Sequence, residues 1–238
     1  MTPPALAGIG VVLLIAGGLV LRSFGVAYRL GRLLATVRPI SIEEAIAAGQ
    51  GGDGRYVRVD GRIDSETDFE DEHHRPLVFR RRRLEVREAA GWRALDDQRE
   101  AVAFEIRAGL AGIAVDTDAI DEGLVVIPRE AVGTAAEARA YVPASIKDGS
   151  AVRMRVQQVS SVEHAVVLGV PVERADGSVA LSAGAGRPLI VSTLEPDEAI
   201  RMLAGGRRTR PALAAGLLVG GGGLIVLAAG WAIAETVH

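Results

Sequence analysis

The densest run of chemically useful side chains lies between Asp64 and His74, with six carboxylates and two imidazoles in eleven residues. Such a run invites a metal. A calcium loop fails on spacing: Phe69 stands where the sharp turn needs glycine, and Arg75 stands where the bidentate Glu belongs. His73 and His74 are the weak metal candidates. As neighbours on a strand they would point to opposite faces, which disfavours joint chelation. The expected reading is a solvated hairpin loop holding no metal.

A second group is the basic run Arg80 to Arg83. On a strand these four residues alternate faces, so they form no single patch. Cross-strand pairing with acids such as Glu105 or Glu85 is the expected use. Arg80 and Arg82, sharing one face, are kept as interaction candidates. A third group, Ser160, Ser161, Glu163 and His164, has the residue types of a hydrolytic triad. Near neighbours in sequence seldom meet triad geometry, and the Gly-x-Ser-x-Gly elbow is missing, since Ala180 precedes Ser182 at that spacing. Glu163 and His164 are therefore expected to share a hydrogen bond at a strand start and to serve as interaction candidates. Gly184 and Gly186 lack the third glycine of a phosphate loop and mark a turn. The chain has no cysteine, which excludes disulfides, thiolate metal sites and a thiol nucleophile. No catalytic residue and no cofactor is assigned.

The elements that must position these groups begin after Pro39. Ser41 and Glu44 form a capping box that opens a short helix, with Ile42, Ala45 and Ile46 facing inward. From Arg55 the period changes to two: Val57, Val59 and Ile63 alternate with polar residues. Further strands are expected at 77–86, 101–107, 113–116, 124–127, 151–159, 165–173, 179–182 and 189–193. A small helix is expected at 134–141 and another at 196–204, with Pro196 at its first position. Strands at this spacing predict a mainly β domain, sandwich or barrel-like, with a few short helices over residues 39–200. That segment carries 19 basic and 29 acidic side chains, a net charge of −10 within a chain of −3. Nucleic acid is not an expected partner. Of the 27 basic residues only Lys147 is not arginine, which fits a GC-rich, prokaryotic genome.

Mean hydropathy is +0.24 although 24% of the residues are charged, so apolar and polar segments are segregated. Two charge-free runs, 2–21 and 211–234, carry the excess. They predict transmembrane helices over 1–27 and 211–234, flanking the β domain. The basic segments 28–38 and 201–210 adjoin them, and a short tail, 235–238, follows. A cleaved signal peptide is the alternative for the first run. The flanking arginines place the central domain in the cytoplasm and both termini outside a cell membrane, with a translocated loop as the alternative. The lipid bilayer is thus an expected partner. The spans are expected to pack on each other, or on a second copy, through Ala212, Gly216 and Gly220, which recur every four residues.

This order of features resembles the GIDE family, in which a beside-a-membrane (BAM) domain lies between two spans. The resemblance rests on residues 41–45, 56–62, 76–85, 102–106, 113–116, 162–164, 167–169 and 189–192, together with Trp92. It implies a β-rich domain related to the membrane part of RING-type E3 ubiquitin ligases. The RING itself needs Cys and His ligands for zinc, and the absence of cysteine sets it aside here. The implied function is a membrane-anchored, non-enzymatic interaction or regulatory module with an unidentified protein partner. The alternative is a non-catalytic subunit of a ubiquitin-like transfer or membrane quality-control system. A hydrolase or metal protein using the acidic run is the third reading.

Overall fold

The computed structural model describes residues 3–22, 25–89, 91–204 and 209–237. The chain divides into two units: residues 36–199, and residues 1–35 together with 200–238.

In chain order the elements are α1 (Pro3–Arg22), α2 (Val26–Thr36), α3 (Ile42–Gln50), β1 (Val57–Asp64), β2 (Phe69–Glu70), β3 (Pro76–Glu88) and β4 (Gly91–Ala101). Then come β5 (Glu105–Ala108), β6 (Ala111–Val115), β7 (Ile120–Val125), β8 (Arg129–Thr134), β9 (Ala151–Ser160) and β10 (His164–Glu173). The last are β11 (Val179–Ser182), β12 (Leu189–Ser192), α4 (Pro196–Ala204) and α5 (Thr209–Val237).

The 36–199 unit is built on a closed barrel. β1 pairs with β5, β5 with β6, β6 with β11, β11 with β10, and β10 returns to β1. All these contacts are antiparallel except β6–β11. Five strands closed through a Greek-key crossover are the architecture of the OB barrel. Closure leaves no free edge and directs one residue in two to the interior. Val57, Val59, Ile63, Ile106, Val167 and Leu181 are accordingly buried in one core. The Ser41 capping box forms as expected, with Glu44 N–H donating to Ser41 Oγ and Ser41 N–H to Glu44 Oε2. It starts α3, whose Ile42 and Ala45 bury into the same core. β12 and β7 extend the barrel sheet beyond β10.

The second sheet consists of insertions into the barrel. β2, β3 and β4 lie between barrel strands β1 and β5, and β8 and β9 between β6 and β10. β3 pairs with β2 and then β4 along one edge and with β9 along the other, and β9 pairs with β8. One end of one face buries Leu84, Val86 and Val152 against Ala135 and Val142 of the 134–150 segment. The expected helix at 134–141 is instead a series of turns. Ala138 N–H donates to Thr134 O, one helical bond, and this is too little to propagate a helix. The β4 and β8 strands were not expected. β4 reads Trp-Arg-Ala-Leu-Asp-Asp-Gln-Arg-Glu through 92–100 and is mostly exposed, so it carries no apolar alternation to detect.

In the other unit, α1 and α5 run antiparallel. A Cβ on Gly10 would lie 2.7 Å from Ile225 Cγ1 and 2.8 Å from Gly221 O, and one on Gly17 would lie 2.9 Å from Leu218. Gly10, Gly17, Gly221 and Ala228 are buried at this seam. Their spacing of seven is that of a helix–helix interface. Ile9, Val12, Ile15 and Leu19 of α1, and Val219, Val226, Leu227 and Trp231 of α5, are exposed.

Among the described residues no helix is long and apolar enough to cross a membrane. This corrects the expectation of two flanking transmembrane helices, and with it the multi-pass assignment, the cell-membrane localisation and the topology derived from it. The expected packing residues Gly216 and Gly220 have nothing within 4 Å of a Cβ built on them, and the close approach is made by Gly221. Ala212 lies outside the residues whose side chains are described.

Candidate functional site

The acidic run folds as a tight loop against β3. Asp71 is buried, and its carboxylate accepts the backbone N–H of His73 (2.8 Å) and Arg75 (3.0 Å) and the Nε–H of Arg75 (2.8 Å). The Arg75 guanidinium, followed by these N–H donors, holds the Asp71 carboxyl well below the usual carboxylate range. Asp71 is thereby committed to the loop. His74 adopts a left-handed conformation (φ 56°) and its Nδ1 lies 2.6 Å from Glu70 Oε2. His73 and His74 are both exposed. Among the described residues, no three His, Asp or Glu side chains are placed to hold a metal ion.

The four consecutive arginines split between the faces of β3, as alternation requires. Arg81 is buried and forks onto Asp97 (2.8 and 2.6 Å), with its remaining nitrogen on Asp121 Oδ1 (3.0 Å). Arg83 reaches Asp97 at 3.1 Å, and Arg99 reaches Asp121 at 2.6 Å. The hydrogen bonds from Arg81, and after them the one from Arg83, outweigh the burial that opposes them and lower the Asp97 pKa to about 2. This network joins β3 and β4 of the second sheet to β7 beside the barrel. Further along the same face, Arg153 pairs with Glu85 (2.7 Å) and stacks on Trp92, 4.5 Å from the ring centre. The pairing acids are therefore Asp97, Asp121 and Glu100. Glu105 instead pairs with Arg107, a neighbour on its own strand.

The opposite face is different. The register places Arg82 beside Val156, and Val156 beside Arg129, so the two arginines flank one valine across three strands. Arg82 donates to a neutral partner, Gln98 Oε1, at 2.6 Å. Among the described residues neither Arg82 nor Arg129 forms an ion pair. Arg80, one step along the strand, pairs with Glu100 and stacks on Phe69 at 5.3 Å. Its Nε is buried with no acceptor among the described residues. Arg80, Arg82, Arg129 and Gln158 line a cavity of about 120 Å³, closed on one side by residues 71–73.

Arg129, Val156 and Gln158 also line a larger groove of about 430 Å³. Its walls include Leu77, Val126, Ile127, Val162 and Leu194, and Glu163 stands at its rim. Ile127 and Val162 are exposed. The two cavities share Arg129, Val156 and Gln158 and form one feature: a trough of mixed apolar and polar lining, Arg75, Ser160 and Thr193 included, with a guanidinium pocket at one end. Three of the four interaction candidates, Arg80, Arg82 and Glu163, belong to it. His164 does not line it. His164 starts β10 opposite Arg62, and the Glu163 carboxylate turns to the Ser160 N–H (3.3 Å). Arg129 was missed because nothing in 129–134 signals a strand, and Ile127, at the end of an expected strand, carried no sign of a site. Only the pairing of β8 on β9 brings Arg129 to Arg82. Chemically the site offers donors and apolar surface, which suits binding. The chain matches no protein-family model, no curated protein and no solved structure.

Proposed function

We propose that the 36–199 unit is a non-enzymatic interaction module that holds an extended segment of a partner protein in this trough. The observation that carries the reading is the joining of a trough of mixed apolar and polar lining to two arginines that lack carboxylate partners. Apolar side chains of a bound segment would bury against Leu77, Val126 and Ile127, and an acidic group would meet Arg82 and Arg129. The free edge of β8 runs beside the trough and offers backbone partners to an added strand. The other exposed strand, β4, carries charges along its length, a usual guard against such pairing. A locally basic pocket in a unit of net charge −9 draws acidic groups to it, while the rest of the surface repels them.

The test is site-specific photocrosslinking in the native cell. A photoreactive residue at Ile127 or Val162 should yield a discrete adduct that one at Leu110, fully exposed on the distant β5–β6 turn, does not. Equal labelling at all three positions, or none at 127 and 162, would overturn the reading.

A further inference from the structure

The guanidinium end of the trough has a more specific chemistry. Most arginines of the 36–199 unit are matched to carboxylates: Arg58 to Asp60, Arg81 to Asp97, Arg107 to Glu105, Arg153 to Glu85. Arg82 and Arg129 break this pattern side by side. Strands lie about 4.8 Å apart, so two arginines separated by one strand have their Cα atoms about 10 Å from each other. Their long side chains can then close on one small anion between them from opposite sides. A third arginine, Arg80, lines the same cavity, and its Nε–H is buried without an acceptor. A buried donor left without an acceptor is costly, so a ligand that supplies one is favoured.

Volume and charge narrow the ligand. The cavity of about 120 Å³ has the room of roughly four waters at ~30 Å³ each, which suits a phosphoryl group with its ester oxygen. Two uncompensated positive charges match the nearly doubly negative phosphate ester better than a singly charged carboxylate. Guanidinium forks also favour oxygens that accept from several directions. Asp71 on the cavity wall does not oppose this, because its carboxylate is committed to Arg75. Glu72, the other acid on that wall, is exposed.

We propose that this cavity is a phosphate-ester site, with Arg82 and Arg129 as its charge-bearing donors and Arg80 as a supporting donor. This rests on the reading of the trough as a segment-binding site. The bound segment would then carry a phosphorylated side chain, seated in the cavity while its neighbours lie in the trough.

The test is calorimetric titration of the full chain at fixed ionic strength with three probes: blocked phosphoserine (N-acetyl, C-amide), blocked aspartate and inorganic phosphate. The blocked phosphoserine should bind saturably and at least about tenfold more tightly than the blocked aspartate. Arg82→Gln and Arg129→Gln should each weaken it about tenfold, with unchanged circular dichroism, whereas Arg93→Gln, on the exposed β4 edge, should not. Equal affinity for aspartate and phosphoserine would overturn the phosphate assignment and leave the trough as an acidic-segment site. Tighter binding of inorganic phosphate than of the blocked ester would overturn the segment-borne source. Phosphoserine binding that survives both glutamine variants would overturn the location. The photocrosslinking at Ile127 and Val162 reports on the trough independently, so failure of one idea is distinguishable from failure of the other.

Discussion

Arg81 shows how one buried charge is made tolerable. Its guanidinium is almost fully enclosed, and each of its three nitrogens donates to a carboxylate or carbonyl of Asp97 or Asp121. Removing the guanidinium takes away the forked partner of Asp97 and leaves it only Arg83, while Asp121 keeps only Arg99. Arg81→Met should therefore lower unfolding free energy by about 2–3 kcal/mol, toward the low end for broken buried pairs because both acids keep contact with water. Denaturant unfolding would measure it. The same site predicts a pH dependence. Asp97 has its pKa lowered to about 2, below the ordinary value near 4 of an unfolded chain. Its contribution is fully present above about pH 4 and is lost as pH falls through about 2. Acid unfolding of Asp97→Asn should show a shallower loss in that window than the parent. A parallel curve in the two proteins would contradict the assignment.

At the scale of elements, close approaches decide the packing. Gly123 on β7 lies so near β12 that a Cβ there would run into Leu189 O. Gly123→Ala should disrupt the β7–β12 ladder and cost about 3 kcal/mol, since backbone rather than a flexible side chain must give way. Gly149→Ala, with open space around its Cβ, should be neutral in the same thermal melt. The α1–α5 pair makes a similar prediction. Gly221 sits against Gly10 O and Leu14, whereas Gly216 faces nothing within 4 Å. Gly221→Leu should separate the two helices, read as loss of chemical cross-linking between α1 and α5. Gly216→Leu should retain it. The opposite ranking would restore the seam expected from the four-residue spacing of small residues.

For the whole molecule, the division into two units has a direct consequence. The barrel, α3 and the inserted sheet contain their own apolar cores and their own ion-pair networks. A fragment of residues 36–199 should unfold cooperatively, with a midpoint within a few degrees of the same transition in the full chain. Loss of cooperativity in the fragment would show that the unit depends on the helices for its fold. The charge of the unit also sets its behaviour toward partners. A net −9 with a basic pocket predicts that raising salt weakens segment binding through the Arg82–Arg129 end while relieving repulsion elsewhere. The glutamine variants should accordingly show a flatter salt dependence than the parent.

The amino-acid sequence by itself determined the local elements whose signals are local. The Ser41–Glu44 box, the alternation of Val57, Val59 and Ile63, and Pro196 at the start of α4 each depend on neighbours within a few residues. It also determined that Arg80 and Arg82 share a face, because strand alternation has a period of two. Tertiary structure alone decided the rest. Whether β1 closes onto β10 depends on residues more than a hundred positions apart, and no local pattern encodes that register. Strands β4 and β8 are held by pairing to β3 and β9 rather than by apolar alternation of their own. The partnership of Arg82 with Arg129 arises only because β9 lies between their strands. The helix seam fell one residue from the expected face, on Gly221, because small residues fill both faces of α5 and only contact with α1 selects between them.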